Sequence, residues 1–571
     1  MGVATTNTIE RIAASIGALN AIRPSFQPSM DIPNGGVLLA LPALLSQGLL
    51  RYTDKFFSLP SGYYGIDSIF LLLALMALAR IKSIEQLRYS APGEWGKLLG
   101  LDRIPEVKTL REKMGLLAEG EQPVKWNAEL CKDWMEDYSD LEMGFYIDGH
   151  VRVYHGSQTP LPKHYVTREK LCLRATTDYW VNAMDGQPFF LVNKAVDPGL
   201  IKTLENDIIP RLLSDVPNQP TTEALALDKY LHRFMVIFDR EGYSAKFFKS
   251  LKSKRIACLS YHKRPGDDWH EDEFSEQVIR LNSGEVTTVR LAERGTYLSD
   301  TIWVREIRKL SECGHQTSIL TTNFKSDLGK IAVAMFARWS QENFFKYMRE
   351  NFSLDRLIDH KLEAMPDTIK VTNPEYRSLS AAIRSKTTAL SRRLAKFGAI
   401  NLKADLDPAQ VEAFQKTKAD LRDEISNLQA DIDILKGQRK AVDQHVMIKN
   451  LPEDQKFSRL ATQTKHLIDT IKMIAYRAET AMANVIREKM PGTKIDEVRS
   501  LLKSIYTTEA DLIPSDHKLT VRIHHQAHHC SDEIVDYVCG VLNETNTVFP
   551  GTTLRIYYEL VSSQNPRGQE V

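Results

Sequence analysis

The sequence predicts a multidomain protein built on an α/β core, with helix-rich sequence ahead of it and a long heptad region behind it. Three observations carry this reading. Phe234–Met235–Val236–Ile237–Phe238 is an unbroken apolar run closed by Asp239, the pattern of a strand buried on both faces with an acid at its carboxyl edge. Gly144–Phe145–Tyr146–Ile147–Asp148–Gly149–His150–Val151–Arg152–Val153–Tyr154 alternates apolar and polar residues around a glycine, which predicts a hairpin or a bent strand. Val411, Phe414, Leu421, Ile425, Leu428, Ile432, Leu435, Val442 and Val446 recur in steps of three and four, interrupted only by Lys418 and Arg439, the seam of a coiled coil.

At 571 residues the chain is too long for one core, and three or four domains are expected. Lys plus Arg number 74 against 73 for Asp plus Glu, so net charge points to neither nucleic acid nor membrane, although a local basic face is compatible with a neutral total. Six scattered cysteines form no CxxC pair and no signal-peptide pattern opens the sequence, so the expected home is the cytoplasm. The longest apolar run, Phe70 to Ala79, falls short of the roughly 20 residues a membrane span needs and predicts a core helix.

Residues 1–125 read as an N-terminal helical domain. Gly35–Leu50 and Ile66–Ile81 are strongly apolar, and Pro105 opens a helix over Glu106–Leu117, where a missing N–H costs nothing. With the short Glu94–Gly100 segment before it, the outline is that of a helix-turn-helix, presenting Lys108, Thr109, Arg111 and Lys113 to DNA. An ordinary helical hairpin with a solvated charged face fits the same residues.

Residues 140–362 read as the catalytic domain. After the Asp148 strand, Leu171–Arg174, Trp180–Ala183 and Pro188–Asn193 predict strands about an Asp185–Gly186 turn, a type I′ signal. Leu200–Leu213 predicts a helix before the Asp239 strand. About a hundred residues then separate Asp239 from Glu342, and the β-rich stretches Arg255–Ser260, Val286–Leu291, Thr301–Ile307 and Thr317–Thr322 predict a β insertion over about 255–325. Trp269 and Trp303 fall inside it, as core residues or as a stacking platform for bases. Ile331 to Arg349 predicts a helix on which, at about 100° per residue, Arg338, Glu342, Lys346 and Arg349 share roughly one quadrant. An intrahelical Glu–Arg ladder would explain that face, worth a few tenths of a kcal/mol per pair. Two strand-borne aspartates upstream argue for more, because three carboxylates suit a hard divalent cation.

The order Asp148, Asp239, Glu342 resembles the DDE triad of RNase H-like insertion-sequence transposases. The signature of that family is Tyr, two residues, Arg, three residues, Glu, six residues, Lys; here the four places hold Met335, Arg338, Glu342 and Arg349. Trp339, Glu342 and Phe345 also match a Trp-x-x-Glu-x-x-Phe pattern of these enzymes. The resemblance spans roughly Met143 to Asp355. It implies an RNase H-like core with a β insertion that grips the transposon end, and double-stranded DNA, both transposon ends and target, as partner. It also implies at least a homodimer on DNA. Asp148, Asp239 and Glu342 would hold two Mg²⁺ ions, with Mn²⁺ able to substitute and no organic cofactor needed. Water would be the nucleophile for cutting and a 3′-hydroxyl for joining. Arg338 and Arg349 would hold phosphates, with Lys346, Arg240, Tyr243 and Trp303 as further DNA contacts. An RNase H-like nuclease or resolvase, or a non-catalytic coiled-coil DNA-binding scaffold, remains open at this stage.

Beyond the core, residues 374–448 predict a helical hairpin in which Leu379, Ile383, Leu390, Leu394 and Phe397 offer a second seam. Residues 452–571 predict a long helix over Asp454–Met490 and a small α+β cap. There His524, His525, His528, His529 and Cys530 form a surface histidine cluster; if helical, the i and i+4 pairs would share a face.

Overall fold

The computed structural model describes residues 7–561 except 139–142, 157–160, 167–168, 281–285, 300–301, 337–338, 356–361, 365–368, 400–407, 453–455 and 457. Two compact units divide the chain: one of residues 1–154, 163–361 and 461–571, the other of 155–162 and 362–460.

In the first unit, Ile66–Leu78 is a helix whose residues 69–78 are all buried, as the apolar run demands, and it packs on the Gln463–Lys489 helix. Gly35–Leu50 differs from expectation. A 3₁₀ segment, Gly35–Ala40, leads into a helix at Leu41–Ser46. A Cβ at Gly36 would lie 1.9 Å from the Ile505 carbonyl oxygen, so this backbone is pressed against the Ile495–Thr507 helix too closely for any side chain. The helix-turn-helix outline is also corrected. Helices Pro92–Lys97 and Val107–Leu117 are joined by nine residues, where a helix-turn-helix uses about three or four, and the first helix is only six residues long.

β1 (Ser29–Ile32) belongs to a C-terminal sheet described below. The main sheet has ten strands: β2 (Gly144–Val153), β3 (Lys163–Val166), β4 (Leu171–Ala183), β5 (Pro188–Lys194), β6 (Met235–Phe238), β7 (Ala257–Tyr261), β8 (Ser275–Arg280), β9 (Val286–Leu298), β10 (Ile302–Leu310) and β11 (Gln316–Thr321). Its path runs β3-β4-β2-β6-β7-β11-β10-β9-β8, with β5 also on β4. β2, β6 and β7 are parallel to one another, and every other pair is antiparallel. Two expectations change here. β2 is one continuous strand through Gly149, which serves close packing rather than a turn: a Cβ there would sit 3.1 Å from Cε1 of Tyr179, its cross-strand partner. Arg255–Ser260 does not open an insertion either, because β7 continues the parallel part of the sheet and only β8–β11 extend beyond it. The helical stretch from Leu200 holds a π turn at Leu204–Ile208 just ahead of Pro210, a local widening that accommodates the proline's missing N–H.

The C-terminal sheet is ordered β1, β12 (Ala510–Ser515), β13 (Lys518–Ile523), β14 (Arg555–Leu560), with the helix His529–Glu544 between its last two strands. An N-terminal strand thus completes a C-terminal sheet. The long helix spans Gln463–Lys489, since Ser458–Leu460 is instead a strand. No helix among the described residues is long and apolar enough to cross a membrane.

The second unit is a helical hairpin, Pro374–Ala399 and Pro408–Ala441, with Lys370–Thr372 paired to His445–Met447 at its base. Lys386 meets Asp431 at 2.7 Å and Arg393 meets Glu424 at 2.5 Å; advancing on one helix retreats on the other, so the helices are antiparallel. Leu421, Ile425 and Ile432 of the predicted seam are buried. The two cations in it have aromatic partners: Lys418 Nζ lies 5.1 Å from the Phe397 ring centre, and Arg439 lies over Tyr376 at 5.7 Å.

Candidate active site

Register places the first two predicted acids. β2 and β6 run parallel with Ile147 opposite Phe238, so Asp148 and Asp239 follow at neighbouring positions of adjacent strands, about 4.8 Å apart in backbone spacing. Each is anchored locally: Asp148 Oδ1 accepts from the Gly149 N–H at 2.8 Å, and Asp239 Oδ1 accepts from the Glu241 N–H at 2.8 Å. Side chains alternate along a strand. Tyr146, Asp148 and His150 therefore share a face with Met235, Ile237 and Asp239, and on that face Tyr146 and Ile237 pack against Ile331, Ala334 and Met335 of the Leu328–Phe336 helix.

The helix Trp339–Phe352 lies over the same face. Buried Gln341 donates from Nε2 to Asn182 Oδ1 at 3.0 Å and to the carbonyls of Tyr146 and Trp180 at 3.3 and 3.4 Å. One turn on, Phe345 stacks on His150 at 5.3 Å and 14°, and His150 in turn pairs with Asp355. These two anchors, on the residues two before and two after Asp148, set this helix along β2 across the aspartate. Glu342 is exposed, about 100° round from Gln341 and 60° from Phe345, at the border between the covered face and solvent. Asp148, Asp239 and Glu342 do not bring three ligand atoms within 4.8 Å of one another; the described residues that do are Asp31, Asp511 and His524, in the C-terminal sheet.

Two further acids join the cluster that sequence reasoning missed. Protein packed around the Glu241 carboxyl, then the charges of Asp239, Asp197 and Asp148, push it up to about 7, although the residue keeps an exposed surface. Asp197 is held by the Tyr179 hydroxyl at 2.5 Å, by Thr177 at 3.3 Å and by the Gly199 N–H at 2.8 Å. So much oxygen-only negative charge in one place suits a hard divalent cation, and the donor set therefore fits Mg²⁺ or Mn²⁺.

Beside it lies a buried ionic group. Arg152 pairs with Asp178, its Nη2 donating to Oδ1 at 3.0 Å, and Asn193 donates to the same oxygen at 2.5 Å. Burial alone would push the Asp178 carboxyl up; the Arg152 guanidinium outweighs it and holds the group at about 2.

The remaining predicted residues are dispersed. Arg338 lies outside the described residues. Lys346 is exposed and Arg349 half-buried, the latter with its Nε buried and without a hydrogen-bond partner among the described residues. Arg240 lies 5.8 Å from the Tyr261 ring and Tyr243 stacks on His262. Lys108 is exposed, Arg111 pairs with Glu85, and burial lowers the Lys113 ammonium. Trp303 is 44% exposed and meets Tyr297 edge-on at 4.8 Å, whereas Trp269 is buried between Arg294 and Arg308. Met335, at the signature's tyrosine position, is wholly buried among apolar side chains, where a phenol hydroxyl would need a partner.

A model of a family described as "Transposase protein" matches residues 2–562. The chain belongs to this transposase family. Its partner is accordingly DNA. No curated protein matches the transposase. A solved structure, the piggyBac transposase synaptic complex with hairpin DNA, aligns over 87% of this chain and 88% of that one, at 9% identity and a TM-score of 0.28, a likeness too slight to carry an argument.

Proposed function

We propose that this transposase is a DDE enzyme of the insertion-sequence type, keeping the Arg and Glu of the Tyr-Arg-Glu-Lys signature as Arg338 and Glu342 with Met335 and Arg349 at the other two places, cutting at transposon ends and joining them to target DNA. The observation that carries the reading is the register of Asp148 beside Asp239 on adjacent parallel strands, beneath the helix that bears Glu342. An RNase H-like core is supported by the same sheet, in which three antiparallel strands (β2, β4, β5) are followed by two strands (β6, β7) parallel to the first.

Asp148, Asp239 and Glu342 would hold two Mg²⁺ ions, or Mn²⁺ in their place. When bound there, such ions would supply Lewis-acid stabilisation of charge on the phosphate oxygens. This chain's part is to position. Gln341 and Phe345 hold the Glu342 helix against β2, and the Gly149 and Glu241 amides fix the orientations of the two aspartates. Arg349 and Lys346 supply cations on the Glu342 helix to phosphates, and Arg338 is a further candidate from the sequence. Arg240 and Tyr243 flank Asp239 from the loop after β6. The exposed Trp303–Tyr297 pair on β9–β10 offers a surface on which a base can stack. Lys108, Arg111 and Lys113 give the N-terminal region a basic helix for backbone contacts, without the helix-turn-helix frame. Cutting two ends together requires two active sites, so a homodimer or larger assembly on DNA is expected.

Joining tests the reading. With Mg²⁺ and plasmid, the transposase should attach a supplied 3′-end oligonucleotide to the target. Nicking without joining would leave a plain nuclease or resolvase.

A further inference from the structure

Transposition chemistry makes no use of the histidine run in the C-terminal sheet, and the structure breaks that run apart. His524 directly follows β13, while the helix begins only at His529, so the i and i+4 spacing of a helical metal motif does not exist. His525 turns to Asp532 at 2.9 Å and His529 to Glu533 at 3.5 Å, both near the surface. His524 alone faces inward. Its Nε2 lies 2.9 Å from Asp511 Oδ1 and 3.8 Å from Asp31 Oδ1, and its Nδ1 lies 3.8 Å from Glu509 Oε2.

Asp31 and Asp511 come from β1 and β12 and His524 from the residue just after β13, by specific local geometry. Between Ser29, opposite Leu512, and Ile32, opposite Ala510, β1 has one residue more than β12. This bulge puts Asp31 in the left-handed region, φ 51°, with its N–H donating to Asp511 Oδ1 at 3.0 Å. A bulge re-aims a side chain, and here it brings the Asp31 carboxylate over His524. Asp511 is nearly fully buried, His524 partly, and Asp31 mostly exposed, so the cluster opens to solvent on one side only.

We propose that Asp31, Asp511 and His524 form a structural site for a divalent transition metal of the zinc class, clamping the N-terminal strand onto the C-terminal sheet. In a tetrahedral site with ligand bonds of about 2.0–2.2 Å, ligand atoms lie about 3.4 Å apart; the 2.9 and 3.8 Å separations bracket this value. Glu509 Oε2 lies 3.8 Å from the far nitrogen of the ring, beyond hydrogen-bond distance but on the side from which a carboxylate can orient a metal-bound imidazole. Water from the exposed side completes the coordination. The site is independent of the Asp148 cluster and of the reading given to it.

The test uses the full chain carrying Asp148→Asn, so that the acidic cluster of the main sheet is weakened, stripped with chelator and titrated with Co²⁺. The expected result is uptake of one equivalent with visible absorption of a four- or five-coordinate ion. Adding Asp31→Asn or His524→Gln should abolish it while circular dichroism stays unchanged. Zn²⁺ should raise the melting temperature of the parent and leave that of the Asp31→Asn form where it was. No absorption in the parent, or absorption that survives both substitutions, overturns the proposal. So does a melting temperature that Zn²⁺ raises equally in the parent and in the Asp31→Asn form.

Discussion

Replacing Gln341 by Leu tests how the Glu342 helix is held. The buried amide donates one hydrogen bond of good length, to Asn182 Oδ1 at 3.0 Å, and two long ones to strand carbonyls at 3.3 and 3.4 Å. Its own Oε1 is buried without a partner among the described residues, so its loss costs nothing. The carbonyls of Tyr146 and Trp180 belong to the β2–β4 ladder and lose little. The removed bond is worth about 1 kcal/mol net, and leaving Asn182 Oδ1 without this donor adds about 1–2 kcal/mol. Leu is close to Gln in volume, so no cavity term enters. The expected loss is therefore about 2–3 kcal/mol, read from the shift of a urea unfolding midpoint. DNA nicking should fall further than stability alone explains, since a misplacement of about 1 Å at a reacting group costs on the order of a hundredfold in rate. An unfolding midpoint within error of the parent, with nicking unchanged, would refute the claim that Gln341 positions the helix.

Asp178→Asn should destabilise by about 3–5 kcal/mol in the same assay, because it strands a buried guanidinium, while the double change Arg152→Met with Asp178→Leu should recover most of that; equal losses in both would refute it. Burial lowers the His466 imidazole from 6.5 to about 4, against the opposing pull of Asp469 and Asp178. Its folded value is below its unfolded one, so its contribution is present above about pH 6.5 and lost as pH falls toward 4, on the order of 3 kcal/mol. His466→Gln should flatten the stability profile in that window, and a profile of unchanged slope would contradict this. Lys418→Leu fills a seam position and should stabilise the helical hairpin by about 1 kcal/mol, seen as a raised melting temperature; a fall would mean the contact with Phe397 and Phe414 matters more than apolar burial.

How far these features were readable in advance depended on the range over which each is determined. The β6 run is a local pattern and formed where it was expected; the hairpin seam holds only in part, because the second helix ends at Ala441, leaving Val442 past it and Val446 in the strand His445–Met447. Lys418 and Arg439 looked like defects in the seam because their ring partners Phe397 and Tyr376 lie on the other helix. Gly149 left both a hairpin and a bent strand open, since nothing in its own neighbourhood reveals Tyr179 across the sheet. Asp148 and Asp239 were each identifiable, but their equal register is a property of strand pairing. Asp197 and Glu241 carry no motif and join the cluster only through the fold. The helix-turn-helix outline failed because proline and charge mark where a helix starts but do not measure the connection before it. His524 was grouped with its sequence neighbours, while its partners Asp31 and Asp511 arrive from the far end of the chain and from the adjacent strand.

The most direct test of the central claim is Mn²⁺-dependent nicking of DNA carrying the element's ends, by the parent and by Asp148→Asn, Asp239→Asn and Glu342→Gln, compared at concentrations that saturate DNA binding. These near-isosteric changes remove metal ligation and little else, so each one alone should abolish nicking while leaving DNA affinity and melting temperature close to those of the parent. Nicking that persists in Glu342→Gln, with Asp148→Asn inactive, would contradict a three-carboxylate site.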